Sequence, residues 1–118
     1  MRNIRRYVKD IHAAMTAVCE FIIDMDFETF RHDDKTTTAV VKKLELIGEA
    51  AKHIPDSIRE KYTQVPWRQM TGMRDRLTHA YYDIDYRIVW NTVKDIIPSL
   101  QPIIAQILEE LEKEQTNE

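Results

Sequence analysis

The residues with most chemical capacity in this chain fall in one short run, Arg74-Asp-Arg-Leu-Thr-His-Ala-Tyr81. Histidine can both take and give a proton near neutral pH, and arginine can hold a phosphate through two parallel N–H bonds. Arg74 with His79 therefore suits phosphodiester cleavage. An RNA substrate would bring its own nucleophile, the 2′-hydroxyl. A general base, an acid for the leaving oxygen and a charge stabiliser would then suffice without a metal. Asp75 stands four residues before His79, where its carboxylate could orient the ring and hold one tautomer.

Helical geometry constrains this reading. At about 100° of rotation per residue, Met70, Leu77 and Ile84 form one apolar stripe. Arg74 and Tyr81 lie within about 60° of its centre, and His79 lies about 140° around from Arg74 on the same count. A guanidinium beside an apolar face is costly unless it meets a carboxylate, a phosphate or a second subunit. One copy of the motif thus looks incomplete. A distorted helix end, a long reach by the arginine, or two subunits pooling their copies would each complete it. Taken alone, an Arg and a His at this spacing also occur by chance, as surface charges and a helix C-terminal histidine favoured by the dipole.

Other residues nearby could serve RNA. Arg68 and Arg76 bracket the motif and could contact the backbone, while Tyr82 and Tyr86 could stack on bases or pack at the bundle end. Trp67 and Trp90 read more simply as core or interface residues. Glu45, Glu49 and His53 repeat at four-residue spacing, as metal ligands do in helical bundles, but the neighbouring lysines make a solvated charged face the simpler reading. No metal box and no cofactor are expected.

The elements that must position these residues are helical. Apolar residues at 4, 8, 11, 15, 18 and 22 form one stripe, predicting a first long helix from Ile4 to about Asp24. Phe27 to Arg31 reads as a short connector. Asp33 and Asp34 can cap a second long helix, carrying Val40, Leu44, Ile47, Ala51 and Ile54 to Pro55. After a brief turn through Tyr62, a helix from about Pro66 to Tyr82 bears the motif. A helix with Ile88, Val89, Val93, Ile96 and Ile97 should break at Pro98, and a last one carries Ile103, Ile104, Ile107, Leu108 and Leu111. The Glu- and Lys-rich tail, about 110–118, is expected to fray. With only two glycines, hairpins and phosphate loops have little material. The expectation is one all-α domain over 1–118, an antiparallel four- to five-helix bundle.

Composition narrows the functions. A net charge of −3 argues against a general polyanion binder, so any RNA site must be local or built by assembly. A single cysteine, Cys19, rules out an intrachain disulfide and a thiolate cluster. No signal-peptide core follows the basic start, and no apolar run approaches the roughly 20 residues that span a bilayer. A soluble cytoplasmic protein with no membrane association is expected.

Three stretches together resemble the HepT branch of the HEPN superfamily over nearly the whole chain. Leu44-Glu-Leu-Ile-Gly-Glu-Ala-Ala-Lys-His-Ile-Pro55 is similar to its mid-chain signature. Val65-Pro-Trp-Arg-Gln-Met-Thr-Gly-Met-Arg-Asp-Arg-Leu-Thr-His-Ala-Tyr81 is similar to its active-site helix, and Ile88-Val-Trp-Asn-Thr-Val-Lys-Asp-Ile-Ile-Pro98 to its closing helix. The family motif of Arg, four to six residues, His, one residue and Tyr falls on Arg74, His79 and Tyr81, with Asp75 as the polar residue after the arginine. The resemblance implies a metal-independent endoribonuclease toxin of a toxin–antitoxin system, acting as a homodimer whose two motifs meet at the interface. It also implies a partner, an antitoxin of the minimal nucleotidyltransferase (MNT) type that neutralises the toxin by transferring AMP to Tyr81. A bulky anion there would occupy the phosphate site and repel RNA. Two other readings stay open: a non-catalytic nucleotide-binding or docking module for a nucleotidyltransferase, and a subunit of a two-part nucleotidyltransferase.

Overall fold

The computed structural model describes residues 4–79 and 83–116. Helix α1 (Ile4–Phe21) buries Val8, Ile11, Met15 and Val18 completely, the stripe its spacing dictates. It stops short of Asp24, which turns the chain with a φ of 67°, a left-handed conformation that aspartate tolerates. Asp26 then caps α2 (Phe27–Arg31), its carboxylate accepting from the Thr29 N–H at 2.8 Å. Asp33 caps α3 (Asp34–Ala51) in the same way, accepting from the Thr36 N–H at 3.0 Å.

Helix α3 ends earlier than the expected Ile54, because Pro55 has no N–H to continue the ladder onto Ala51 O, and Arg59 serves the carbonyls left at that end. From α4 (Asp56–Lys61), Arg59 donates to Ala51 O at 2.7 Å and to Ile54 O at 3.0 Å. Ile54 still buries its side chain. The motif helix α5 (Trp67–His79) is pinned at its start by the buried Trp67, whose indole N–H donates to Tyr62 O at 3.2 Å. Only Trp67 and Leu77 of this helix are buried, so α5 is held at its edge positions rather than enclosed.

The expected break at Pro98 is absent. Helix α6 (Tyr86–Asn91), capped by Asp85, leads through a π-helical turn over Thr92–Ile96 into α7 (Ile97–Thr116), which runs on through Pro98 and Pro102. In the π turn the Ile97 N–H reaches back five residues to Thr92 O. That wider turn comes just before Pro98, where an ordinary turn would have to absorb the lost donor and the clash of the ring with the preceding carbonyl. The last helix is described to Thr116, and the Tyr62 hydroxyl and the Lys61 ammonium both engage its Glu110.

Helix α3 is the central element. It packs on α1 along one flank and on α5 along the other, and α1 packs in turn on α7. Phe30 of α2 closes one end of the core against Trp90, ring centroids 5.2 Å apart. Between α5 and the α6–α7 rod a groove of about 330 Å³ stays open, lined by Met70, Met73, Arg76, Ile88, Ile96 and Leu100. Ile88 and Ile96 are about half exposed on its rim, while Val89, Val93 and Ile97 take the core positions. No described helix is long and apolar enough to cross a membrane.

Candidate active site

Helix α5 lies unusually close to α3, and the reason is Gly48. A Cβ at that position would stand 2.2 Å from Arg74 Cβ and 2.8 Å from Met70 O, so only glycine admits this approach. The contact sets the register in which the side chains of α5 meet those of α3. Arg74, only 28% exposed, directs its guanidinium at two carboxylates: Nη2 lies 3.2 Å from Glu49 Oε2 and Nη1 3.2 Å from Asp75 Oδ1. Asp75 also accepts from Lys52 Nζ at 3.1 Å. One turn on, the Thr78 hydroxyl donates to Glu45 Oε2 at 2.8 Å. The apolar-stripe arginine therefore has its partners within its own protomer. Glu49 and Glu45, considered from sequence as metal ligands, hold α5 to α3 instead.

The lysine at 52, and secondarily Arg74, keep the Asp75 carboxyl below the usual carboxylate range. That carboxylate is consequently occupied, and it does not orient His79 as the four-residue spacing suggests. The main chain does: His79 Nδ1 lies 2.8 Å from Asp75 O. A carbonyl oxygen only accepts, so Nδ1 carries the proton and, in the neutral ring, Nε2 carries the lone pair. His79 itself is exposed. This is the arrangement a general base needs, a fixed tautomer with the free nitrogen accessible.

Arg74 and His79 line different clefts. Arg74 borders one of about 330 Å³ between α1 and α3, with Asp10, Lys42, Glu45 and Glu49 around it and a stacked Tyr7–His53 pair at 4.5 Å on its wall. His79 borders a second of about 270 Å³ beyond the other side of α5, with Met73, Arg76, Asp83, Ile84 and Ile88. The two residues share neither cleft. Arg68 is exposed and lines neither cleft. Tyr81 and Tyr82 lie outside the described residues.

Sequence reasoning passed over Gly48, and it read Glu49 and the lysines beside it as a solvated charged face rather than as partners of α5. Their signal was present: a glycine inside a long helix carries a propensity cost that needs a packing reason, and a half-buried arginine needs a carboxylate within reach. Cys19 does no evident chemistry. Burial pushes its thiol up, and its sulfur lies 3.7 Å from Gln101 Oε1.

A family model described as ribonuclease HepT-like matches residues 11–107. A protein named "Probable ribonuclease HepT" from Thermococcus cleftensis is 45% identical over 100 residues, covering 85% of this chain and 91% of that one. A protein of Caldanaerobacter subterraneus subsp. tengcongensis, named as a candidate RNase, is 44% identical over 113 residues, covering 92% and 97%. Another so named, from Methanocaldococcus jannaschii, is 41% identical over 112 residues, covering 95% and 97%. No solved structure matches the chain.

Proposed function

This chain belongs to the HepT-like ribonuclease family, and on that footing we propose that it is a metal-independent endoribonuclease toxin whose working site combines Arg74 and His79 from two subunits. The observation that carries the reading is the His79 ring itself, its Nδ1–H spent on Asp75 O and its Nε2 free. In the reaction Nε2 takes the proton of an RNA 2′-hydroxyl, and the 2′-oxygen attacks the adjacent phosphorus. The bond to the 5′-oxygen breaks, and that oxygen leaves with a proton from a second acid, the partner subunit's copy of the histidine. The products are a 2′,3′-cyclic phosphate and a 5′-hydroxyl. Arg74 binds the scissile phosphate and offsets the charge that builds on its oxygens. Glu49 is half exposed and can swing off the guanidinium as phosphate arrives.

Two features support a homodimer. The Arg74 and His79 clefts are separate within one protomer, and the groove between α5 and the α6–α7 rod leaves Ile88 and Ile96 on an apolar rim that a second copy would cover. The control we assign to this site is a nucleotidyltransferase antitoxin of the MNT type that transfers AMP to Tyr81, two residues past His79, putting an anion where substrate phosphate must lie. Arg68 and Tyr82 are further RNA contacts in this reading. The separation of Arg74 from His79 also favours a second reading, a non-catalytic nucleotide-binding or docking module for such a partner.

Incubating wild-type and His79→Ala protein with total RNA in EDTA separates the two. The ribonuclease reading expects wild type to leave 2′,3′-cyclic phosphate ends and the variant to be slower by about 10²–10⁴. Equal inactivity of both proteins would instead favour the docking module.

A further inference from the structure

We propose that Arg76 is a substrate-binding residue, gripping a backbone phosphate of the strand presented to His79 of the same protomer. The inference rests on the ribonuclease reading above and adds a division of labour between two arginines. Arg74 and Arg76 sit two positions apart on α5 and project to different sides of it. Arg74 faces the α1–α3 cleft and is engaged by Glu49 and Asp75. Arg76 is exposed, forms no ion pair among the described residues, and lines the cleft that holds His79. His79 lies three positions after Arg76, the spacing that puts two side chains one turn apart on one helical face.

The charge of that cleft makes the assignment specific. Its other ionisable lining residues are Asp83 and Asp85. Asp85 is spent on the N–H groups of Arg87 and Ile88, but both carboxylates still present negative charge to an incoming phosphate. Arg76 is the permanent cation that offsets them there. In the structure its guanidinium lies back over the preceding turn, where a Cβ at Gly72 would stand in ordinary van der Waals contact with Arg76 Nη1 at 3.6 Å. Arg76 lines both the groove between α5 and α6–α7 and the histidine cleft, so its guanidinium lies where the two meet. An exposed bidentate donor with no ion pair among the described residues, beside a proton-transfer residue, is what a phosphodiester ligand requires.

Binding and cleavage are to be read separately. In a His79→Ala background, anisotropy of a fluorescein-labelled single-stranded oligoribonucleotide of mixed sequence reports affinity without turnover. Arg76→Ala should weaken it roughly ten- to hundredfold, the range for a lost charged hydrogen bond. The slope of log K against log salt should fall by about 0.7, one phosphate contact on a single strand. Arg76→Lys should recover part of the affinity as a point charge. Lys35→Ala, which removes an exposed cation lining neither cleft, should leave binding within about threefold of the parent. The proposal is overturned if Arg76→Ala binds like its parent, if Lys35→Ala loses as much, or if the parent binds no RNA. Wild-type protein that cleaves no RNA while Arg76-dependent binding persists would remove the ribonuclease reading and leave this assignment standing.

Discussion

His79 takes its orientation from the main chain of Asp75, and this separates two roles that the spacing of the residues had merged. An Asp75→Asn variant keeps the carbonyl that fixes Nδ1–H and loses only the charge facing Lys52 and Arg74. Cleavage should fall by less than about tenfold, the scale of an exposed ion pair. The same pair gives a pH signature. Because Lys52, then Arg74, depress the Asp75 pKa, the stabilisation exists above the ordinary carboxylate pKa and is lost as pH falls through the lowered one. Wild type should therefore melt slightly above Asp75→Asn at neutral pH, with the two curves converging below about pH 4. A difference that grows on acidification would show that Asp75 stabilises by some other contact. The sequence made Arg74, Asp75 and His79 visible as a group, since all three share one helix. It did not reveal which partner each had taken, because Glu49 and Lys52 come from another helix and only folding brings them alongside.

At the scale of elements, the long amphipathic stripes of α1 and α3 were legible because each has one face to bury and the period of the helix leaves little choice. The α6–α7 rod was not, because proline is read as a breaker and the compensating π turn over Thr92–Ile96 has no residue signature of its own. The α3–α5 crossing was hidden for a different reason: a helical glycine announces a cost, and the neighbour that justifies it lies twenty-odd residues on. That crossing carries a prediction. Gly48→Ala places a methyl group where Arg74 Cβ and Met70 O already stand. Neither is the mobile end of a flexible side chain, so α5 itself must shift. Thermal unfolding should report a loss of about 1–3 kcal/mol, although alanine has the better helix propensity. Cleavage should drop as well, because the displacement moves Arg74 with the helix. An alanine variant as stable as wild type would mean that the crossing relaxes without strain.

The whole molecule carries net negative charge, so its productive contact with a polyanion has to be confined to a few arginines set in favourable places. Two copies seated on the α5/α6–α7 groove would concentrate such arginines and cover the exposed isoleucines together. Ile96 is the better position at which to test this. It is 47% exposed on the π turn, lines the groove, and is absent from the walls of the His79 cleft. Substitution to lysine there removes apolar surface from a dimer contact yet adds a charge that RNA would welcome, so lost activity could not be blamed on repulsion of substrate. Since the side chain is already about half in water, the protomer itself should change in stability by no more than about 0.5 kcal/mol. Ile96→Lys is expected to sediment as a monomer at concentrations where wild type is a dimer, to keep the wild-type helical content, and to cleave RNA at the level of His79→Ala. A variant that remains dimeric would place the interface elsewhere on the surface. A monomer that still cleaves would mean that one protomer holds a complete site, and that Arg74, on the far side of α5, acts on the reaction only by fixing the helix that carries His79.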